Sequence, residues 1–206
     1  RNCMGFSQED ESEKPEAAWE NPVLVIVRGI KYNESYKMLT GGICMGSYLN
    51  PGNEAFAVAL NSEIYVDKTG LLTYTNKVMN TLQGYICNSR PRRFGKSFAA
   101  NMLAAYYSKG CDSRKMFSGL AISQTADFEK HLNQYDVIHL DIQWFLSNVS
   151  DPEQIVAYIT ECTLAELRTI YADQLPPEVS TVPDALSRIK EATGQKFVII
   201  IDEWDV

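Results

Sequence analysis

The sequence has few of the residues that build disulfide frameworks or metal centres. Its 206 residues include five cysteines and two histidines, which are widely scattered. No pair of cysteines has the close spacing of a zinc site, so we expect neither structural zinc nor a disulfide framework, and a cytoplasmic location. The longest aliphatic runs, at residues 23–27 and 197–201, are far too short to cross a bilayer. A membrane partner is therefore not expected.

Acidic residues are missing from one long segment of an acidic protein. The chain has 19 Lys and Arg against 26 Asp and Glu, a formal charge of −7, which argues against non-specific coating of nucleic acid. From Lys68 to Cys111 there is no Asp or Glu. The basic residues of this segment are Lys68, Lys77, Arg90, Arg92, Arg93, Lys96 and Lys109. The segment indicates an anion-binding site, and the alternative is a solvated basic face.

Short apolar runs alternate with helical patterns along the chain. Strands are predicted at residues 85–88, 137–140 and 197–201, and helices separate them. The last run has no polar alternation, which is typical of a parallel strand covered by helices on both faces. The pattern predicts an α/β fold, a three-layer αβα sandwich with a mainly parallel sheet.

The first 44 residues differ in character from the rest. Residues 7–20 are polar and acidic, which indicates a disordered tail, whereas residues 23–30 could form a strand. After Met45 the sequence shows a turn followed by an apolar helical patch. We therefore expect residues 1–44 to be an extension and residues 45–206 to be the domain, with Met45 as its natural start.

A phosphate-binding motif lies between the strand at 85–88 and a helix predicted from Ser97 to about Ser108. Gly95 lacks a Cβ, so its N–H can approach a phosphate oxygen. In this motif Lys96 would bridge the β- and γ-phosphates, and the Ser97 hydroxyl would ligate Mg²⁺. The rest of the predicted nucleotide-binding loop consists of Arg90, Pro91, Arg92, Arg93 and Phe94. Arg90 stands where the usual pattern has glycine, and the alternative interpretation is a basic loop with an incidental Gly-Lys-Ser.

An acid pair follows the last predicted strand. Asp202 would hold Mg²⁺ from the end of that strand, and Glu203 would act as general base for an attacking water. A strand that simply ends in a polar turn is the alternative. Asp205 is a more distant candidate around the same site.

Several motifs, in the order in which they occur along the chain, resemble those of the predicted AAA-ATPase-like proteins of bacteria. They are YVDKT at 65–69, SRPRRFGKS at 89–97, MFSGL at 116–120 with Ile122, and IDEWD at 201–205. The family's loop also lacks the early glycine, so Arg90 is expected there. The resemblance covers residues 45–206 and implies a P-loop NTPase fold, ATP as ligand and Mg²⁺-dependent hydrolysis. It also implies a C-terminal nuclease-like partner domain, through which alone nucleic acid would be bound.

The YVDKT motif admits two interpretations. Residues 64–66 are predicted to be extended, and Asp67 is predicted to cap a helix that runs to about Asn80, with Lys68 merely exposed. The functional interpretation places the motif beside the nucleotide, where Tyr65 could stack on adenine. The sequence does not decide between them.

The same resemblance implies that a later strand lies between the strand feeding the loop and the strand carrying the acids. These 206 residues end before such a strand. We therefore expect an open slot between residues 85–88 and 197–201, with unpaired backbone groups, marginal stability and low activity.

The leading hypothesis is a Mg-ATP hydrolase whose cycle drives or gates a partner domain. The alternatives are a nucleotide-binding switch without turnover, and a nucleic-acid-binding module that uses Arg90, Arg92 and Arg93. The lysine and Mg²⁺ machinery is shared with phosphotransferases, which the sequence does not exclude.

Overall fold

The secondary structure comes from a computed structural model that describes the backbone of residues 23–27, and residues 46–88 and 95–204 with their side chains. In these residues the elements are, in chain order, β1 Val23–Val27, α1 Glu54–Leu60, α2 Gly70–Val78, β2 Tyr85–Asn88, α3 Lys96–Tyr107, α4 Arg114–Phe117, α5 Phe128–His131, β3 Asp136–Asp141, α6 Ile142–Ser147, α7 Ile155–Ile170, α8 Val182–Thr193 and β4 Phe197–Asp202. Short 3₁₀ turns span Ala121–Gln124 and Pro152–Gln154. Among the described helices, none combines the length and apolar character that a membrane crossing requires.

The four strands form one parallel sheet in the order β2-β1-β4-β3. Helices pack on both faces of this sheet, so the predicted three-layer α/β architecture is confirmed. Because the strands are parallel, their carboxyl ends lie at one edge, where ligands bind in folds of this kind. This edge is the place to look for the site.

Strand β1 lies between β2 and β4, where the sequence analysis expects an open slot. Val25 pairs with Ile86 of β2 on one side and with Ile200 of β4 on the other. The expectation of an open slot between residues 85–88 and 197–201 is therefore wrong, because β1 occupies this position. An apolar, β-branched run supplies backbone partners to both neighbouring strands, which satisfies their N–H and C=O groups. The strand predicted at 23–30 is observed as Val23–Val27, and the rest of residues 1–45 lies outside the described residues.

Alternate residues of β3 and β4 contribute to two apolar clusters, one on each face of the sheet. Val198 and Ile200 pack in the cluster built around α3, whereas Phe197 packs with residues of α7 and α8. Along α3 the buried residues include Met102, Leu103, Tyr106 and Tyr107, all inaccessible to solvent. Burial of such side chains stabilises a fold by about 1.5–3 kcal/mol each, so α3 is held firmly against the sheet.

Buried tyrosines also fix α3 against its helical neighbours. The Tyr107 hydroxyl donates to Asn76 Oδ1 of α2 at 2.7 Å, and the Tyr106 hydroxyl donates to the Phe128 carbonyl at 2.9 Å. Asn76 Nδ2 in turn donates to the Tyr106 hydroxyl at 3.1 Å. These bonds satisfy polar groups that would otherwise be costly to bury. They set the position of α3, the helix that follows the predicted phosphate loop.

The YVDKT region differs from its predicted local structure. Residues 64–66 are not part of a strand, and the helix begins at Gly70 rather than after Asp67. Asp67 Oδ1 instead accepts hydrogen bonds from Thr69 N at 2.8 Å and Thr69 Oγ1 at 2.7 Å. A local side-chain turn of this type competes with helix formation and delays its start by two residues. The other predicted helices and strands agree with the structure to within a few residues.

Candidate functional site

Two carboxylates stand side by side at the carboxyl edge of the sheet. Asp141 and Asp202 are the last residues of β3 and β4 and face each other in register. Asp202 is 4% exposed, and Asp141 is half-buried. Asp141 Oδ1 accepts a hydrogen bond from Trp144 N at 3.1 Å, so its side chain caps α6. The sequence analysis predicts a strand that ends at residue 140, but it does not place Asp141 at the site, because strand order is needed for that.

Glu203 follows Asp202 in an unusual backbone conformation. Its φ is +55°, in the left-handed region that non-glycine residues seldom adopt, and its side chain is largely buried. Glu203 N donates to Asp202 Oδ1 at 3.0 Å, which fixes the turn between the two acids. A left-handed residue of this kind costs about 1 kcal/mol, and such strain clusters at functional sites.

The start of α3 carries the Gly-Lys-Ser sequence. Gly95 has φ +71° and ψ +47°, and its carbonyl accepts from Ala99 N at 3.2 Å at the first turn of α3. Lys96 is the first helical residue and is only 4% exposed. In the part of the chain that the structure describes, no carboxylate lies within ion-pair distance of the Lys96 ammonium. The helix dipole adds positive potential at the same point, which favours an anion there.

The start of α3 meets the end of β4. The Ser97 hydroxyl lies close enough to the Asp202 carboxylate to lower its pKa, so residues from the two separate sequence motifs meet. Serine and aspartate oxygens in contact are the usual protein ligands of Mg²⁺ beside a nucleoside triphosphate.

Ionisation of Asp202 is unfavourable when no cation is bound beside it. Burial, together with the neighbouring charges of Glu203 and Asp141, raises the pKa of Asp202 to about 7. Hydrogen bonds from the Ser97 hydroxyl and Glu203 N act in the opposite direction but do not cancel these effects. A carboxylate desolvated beside other acids is a common feature of sites that hold cations or exchange protons.

The donor set suits Mg²⁺ better than a softer metal. Ser97 and Asp202 offer oxygen ligands, with the Asp141 carboxylate close by, and a divalent cation would offset the cost of burying Asp202. Among the described residues, no group of three or more His, Cys, Asp and Glu side chains could hold a metal by itself. Mg²⁺ ordinarily keeps several waters and takes further oxygens from phosphates, so one or two protein ligands are sufficient.

The YVDKT motif reaches the glycine of the same loop. A Cβ added to Gly95 would lie 2.5 Å from Lys68 Nζ, so the lysine ammonium closely approaches this position. The Tyr65 ring packs against Phe98 with centroids 5.6 Å apart. The Lys68 ammonium therefore lies beside Gly95, a proximity that the sequence analysis does not predict.

The remaining residues predicted for the site cannot be placed. Outside the described residues lie Arg90, Pro91, Arg92, Arg93, Phe94 and Asp205. The predicted site residues that the structure describes are Gly95, Lys96 and Ser97 at the start of α3, and Asp202 and Glu203 at the end of β4.

A parallel strand, a Gly-Lys-Ser sequence at a helix start and an Asp-Glu pair ending a second strand are together typical of P-loop nucleoside triphosphatases. A family model, AAA-ATPase-like, described as predicted AAA-ATPase, matches residues 54–206. The chain belongs to this family, and the resemblance drawn from the motifs is confirmed. No curated protein and no solved structure matched the chain.

Proposed function

We propose that this protein binds ATP together with Mg²⁺ and hydrolyses it to ADP and phosphate. The closeness of the Ser97 hydroxyl to the Asp202 carboxylate carries the proposal, because it joins the end of the phosphate loop to the acid pair. Membership of the AAA-ATPase-like family supports nucleotide binding at this site.

Each residue has a proposed role in binding. Lys96 and the amides at the start of α3 would hold the β- and γ-phosphates, and Gly95 would allow their close approach. Ser97 and Asp202 would hold the metal. Mg²⁺ bound there would neutralise part of the phosphate charge and polarise the γ-phosphoryl group. We also assign the phosphate loop the residues Arg90, Pro91, Arg92, Arg93 and Phe94.

Glu203 is the proposed general base. A water oxygen would attack the γ-phosphorus while the bond from that phosphorus to the β–γ bridging oxygen breaks, and the Glu203 carboxylate would accept the water proton. The fixed turn between Asp202 and Glu203 supports this assignment, because it holds the base next to the metal-binding acid.

Two variants test these roles in the purified protein. Glu203→Gln keeps the shape of the side chain and should bind ATP normally while phosphate release falls by about 100-fold or more. Lys96→Ala should instead weaken ATP binding. Glu191→Gln, which changes an exposed glutamate on α8, is the matched control and should leave both quantities unchanged. A Glu203→Gln rate within about twofold of the wild type would refute the general-base role.

The same measurements distinguish hydrolysis from a nucleotide-binding switch. Tight ATP binding with no phosphate release by the wild type would replace hydrolysis with a switch function. We further propose that the ATP cycle drives or gates a partner domain, and a nuclease-like domain is the one that the family resemblance implies.

A further inference from the structure

The end of β3 carries an acid whose position is fixed by the helix that follows it. Asp141 Oδ1 accepts a hydrogen bond from Trp144 N at 3.1 Å and thereby caps α6. Its second carboxylate oxygen, Oδ2, accepts no hydrogen bond from the part of the chain that the structure describes. A cap needs one oxygen and no charge, since asparagine and serine cap helices about as well as aspartate does. The charge and the second oxygen of Asp141 are therefore available for another role.

The register of the sheet places this carboxylate beside Asp202. Asp141 and Asp202 are paired on adjacent parallel strands, which lie about 4.8 Å apart. Val137 of β3 and Ile200 of β4 pack on the α3 face of the sheet. Because side chains alternate along a strand, Asp141 and Asp202 lie on this same face. The Asp141 carboxylate therefore shares the face on which Ser97 lies beside Asp202.

The two carboxylates destabilise each other when both are ionised. The charge of Asp141 is one of the causes that raise the pKa of Asp202, which shows that the two groups interact. Like charges at paired positions of neighbouring strands are unfavourable, and burial strengthens their repulsion. A cation held near both side chains would remove this cost.

The buried lysine at the same edge of the sheet does not neutralise these acids. Lys96 is only 4% exposed, and its ammonium makes no hydrogen bond or ion pair within residues 46–88 and 95–204. Over the same residues, Asp141 and Asp202 form no ion pair with a lysine or arginine. Buried charges in proteins are normally paired. A buried lysine and two acids that stay apart indicate a ligand that carries both signs, such as a metal ion bound to a polyphosphate.

We propose that Asp141 is a positioning residue of the metal site, whose second oxygen accepts a hydrogen bond from a water molecule bound to Mg²⁺. The inference rests on the proposed function and adds to it a residue from a strand outside the phosphate-loop and acid-pair motifs. Among the described residues, no three acids converge closely enough to hold a metal by themselves, so Asp141 acts through water. The competing explanation is that Asp141 only caps α6.

The substitution Asp141→Asn separates these explanations. Asparagine keeps the cap of α6, but it removes the charge and places an N–H donor where Oδ2 accepts. Asp141→Ser also keeps the cap and should give the same result. The matched control is Asp151→Asn, because Asp151 is an exposed aspartate that caps a 3₁₀ turn by accepting from Glu153 N at 3.0 Å.

The affinity of each purified protein for ATP is measured by calorimetry, once with Mg²⁺ and once with EDTA. The gain in ATP affinity that Mg²⁺ provides should fall by about tenfold or more in Asp141→Asn and change by less than about twofold in Asp151→Asn. In EDTA, Asp141→Asn should bind ATP at least as tightly as the wild type, because a negative charge near the polyphosphate is lost.

The outcomes distinguish this inference from the proposed function. If Mg²⁺ increases the ATP affinity of the wild type and Asp141→Asn keeps that gain within about twofold, Asp141 only caps α6 and the proposed function stands. An equal loss of affinity with Mg²⁺ and with EDTA would also refute the role of Asp141 at the metal. If the wild type binds no ATP, the proposed function itself fails and the inference fails with it.

A double variant tests whether Asp141 and Ser97 act on the same ion. Ser97→Ala and Asp141→Asn are compared with the variant that carries both substitutions. If both residues hold one Mg²⁺, the double variant should lose much less of the Mg²⁺-dependent gain than the product of the two single losses. Losses that multiply in full would show that Asp141 acts independently of the metal and would overturn the inference.

Discussion

The Ser97 hydroxyl lies beside the Asp202 carboxylate at the carboxyl edge of the sheet and lowers its pKa. Ser97 lies in the first turn of α3 and Asp202 is the last residue of β4. Their closeness therefore depends on the correct packing of α3 against the sheet, and it ties the geometry of the candidate site to the apolar core. Properties of these two residues are accordingly the most direct probes of the site.

Removal of the Asp202 charge should stabilise the protein in the absence of nucleotide and metal. Burial, followed by the charges of Glu203 and Asp141, raises the pKa of Asp202 to about 7. Above pH 7 Asp202 is therefore ionised in the folded state at a cost in stability relative to the unfolded state. Since one pKa unit corresponds to about 1.4 kcal/mol, we expect Asp202→Asn to increase the free energy of unfolding by about 2 kcal/mol at pH 8.

The sign of the pH dependence follows from the raised pKa. The stability that wild-type Asp202 contributes is complete below its unfolded-state pKa near 4 and is lost as the pH rises through about 7. The advantage of Asp202→Asn should thus shrink steadily between pH 7 and pH 4. Urea unfolding with a chelator present measures it. Asp184→Asn, at an exposed acid of α8, is the control, and an Asp202→Asn difference independent of pH would contradict the electrostatic explanation.

Loss of the Ser97 hydroxyl should affect the metal more than the nucleotide. Ser97→Ala removes the hydroxyl that lies beside Asp202 and is a proposed Mg²⁺ ligand, whereas Ser97→Thr keeps a hydroxyl. We expect Ser97→Ala to bind ATP without Mg²⁺ about as well as the wild type and to lose most of the gain in affinity that Mg²⁺ provides. A Mg²⁺ titration of nucleotide binding checks this, and an unchanged Mg²⁺ dependence would remove Ser97 from the metal site.

Candidate residues of the site are easier to select from the sequence than the residues that surround them. Gly95, Lys96, Ser97, Asp202 and Glu203 could be selected because their motifs are local. Asp141 could not, since its position beside Asp202 follows from the strand order, which depends on packing over the whole sheet. Burial and register are properties of the assembled core, so they are not encoded in any short window of sequence.

The placement of β1 and of Lys68 escaped prediction for different reasons. An apolar run at residues 23–27 predicts a strand but not its neighbours, and family resemblance suggested a different occupant for the position that β1 takes. Lys68 was uncertain because the local turn formed by Asp67 shifts the start of α2 and thereby the direction of the lysine.

Alanine at Gly95 should impair ATP binding through two separate effects. The left-handed backbone at φ +71° disfavours a Cβ by about 1–2 kcal/mol, and that Cβ would displace the Lys68 ammonium. Gly194→Ala is the matched control, because Gly194 has φ +69° but no neighbouring atom within 4 Å of an added Cβ. Both variants should lose similar stability by thermal unfolding, and only Gly95→Ala should lose affinity for ATP. Equal ATP affinities of the two variants would contradict the proposed close approach of a phosphate to the Gly95 backbone.

The central position of β1 makes its backbone amides essential to the sheet. Val25 pairs with Ile86 on one side and Ile200 on the other, so β1 connects the strand before the phosphate loop to the strand that carries Asp202. Val25→Pro removes an N–H from the middle of the sheet and should cost about 3 kcal/mol or more of stability. Val25→Ile keeps the amide and should cost less than about 1.5 kcal/mol. The same denaturation midpoint for Val25→Pro and the wild type would show that β1 is not a central strand. Another segment would then have to pair with β2 and β4.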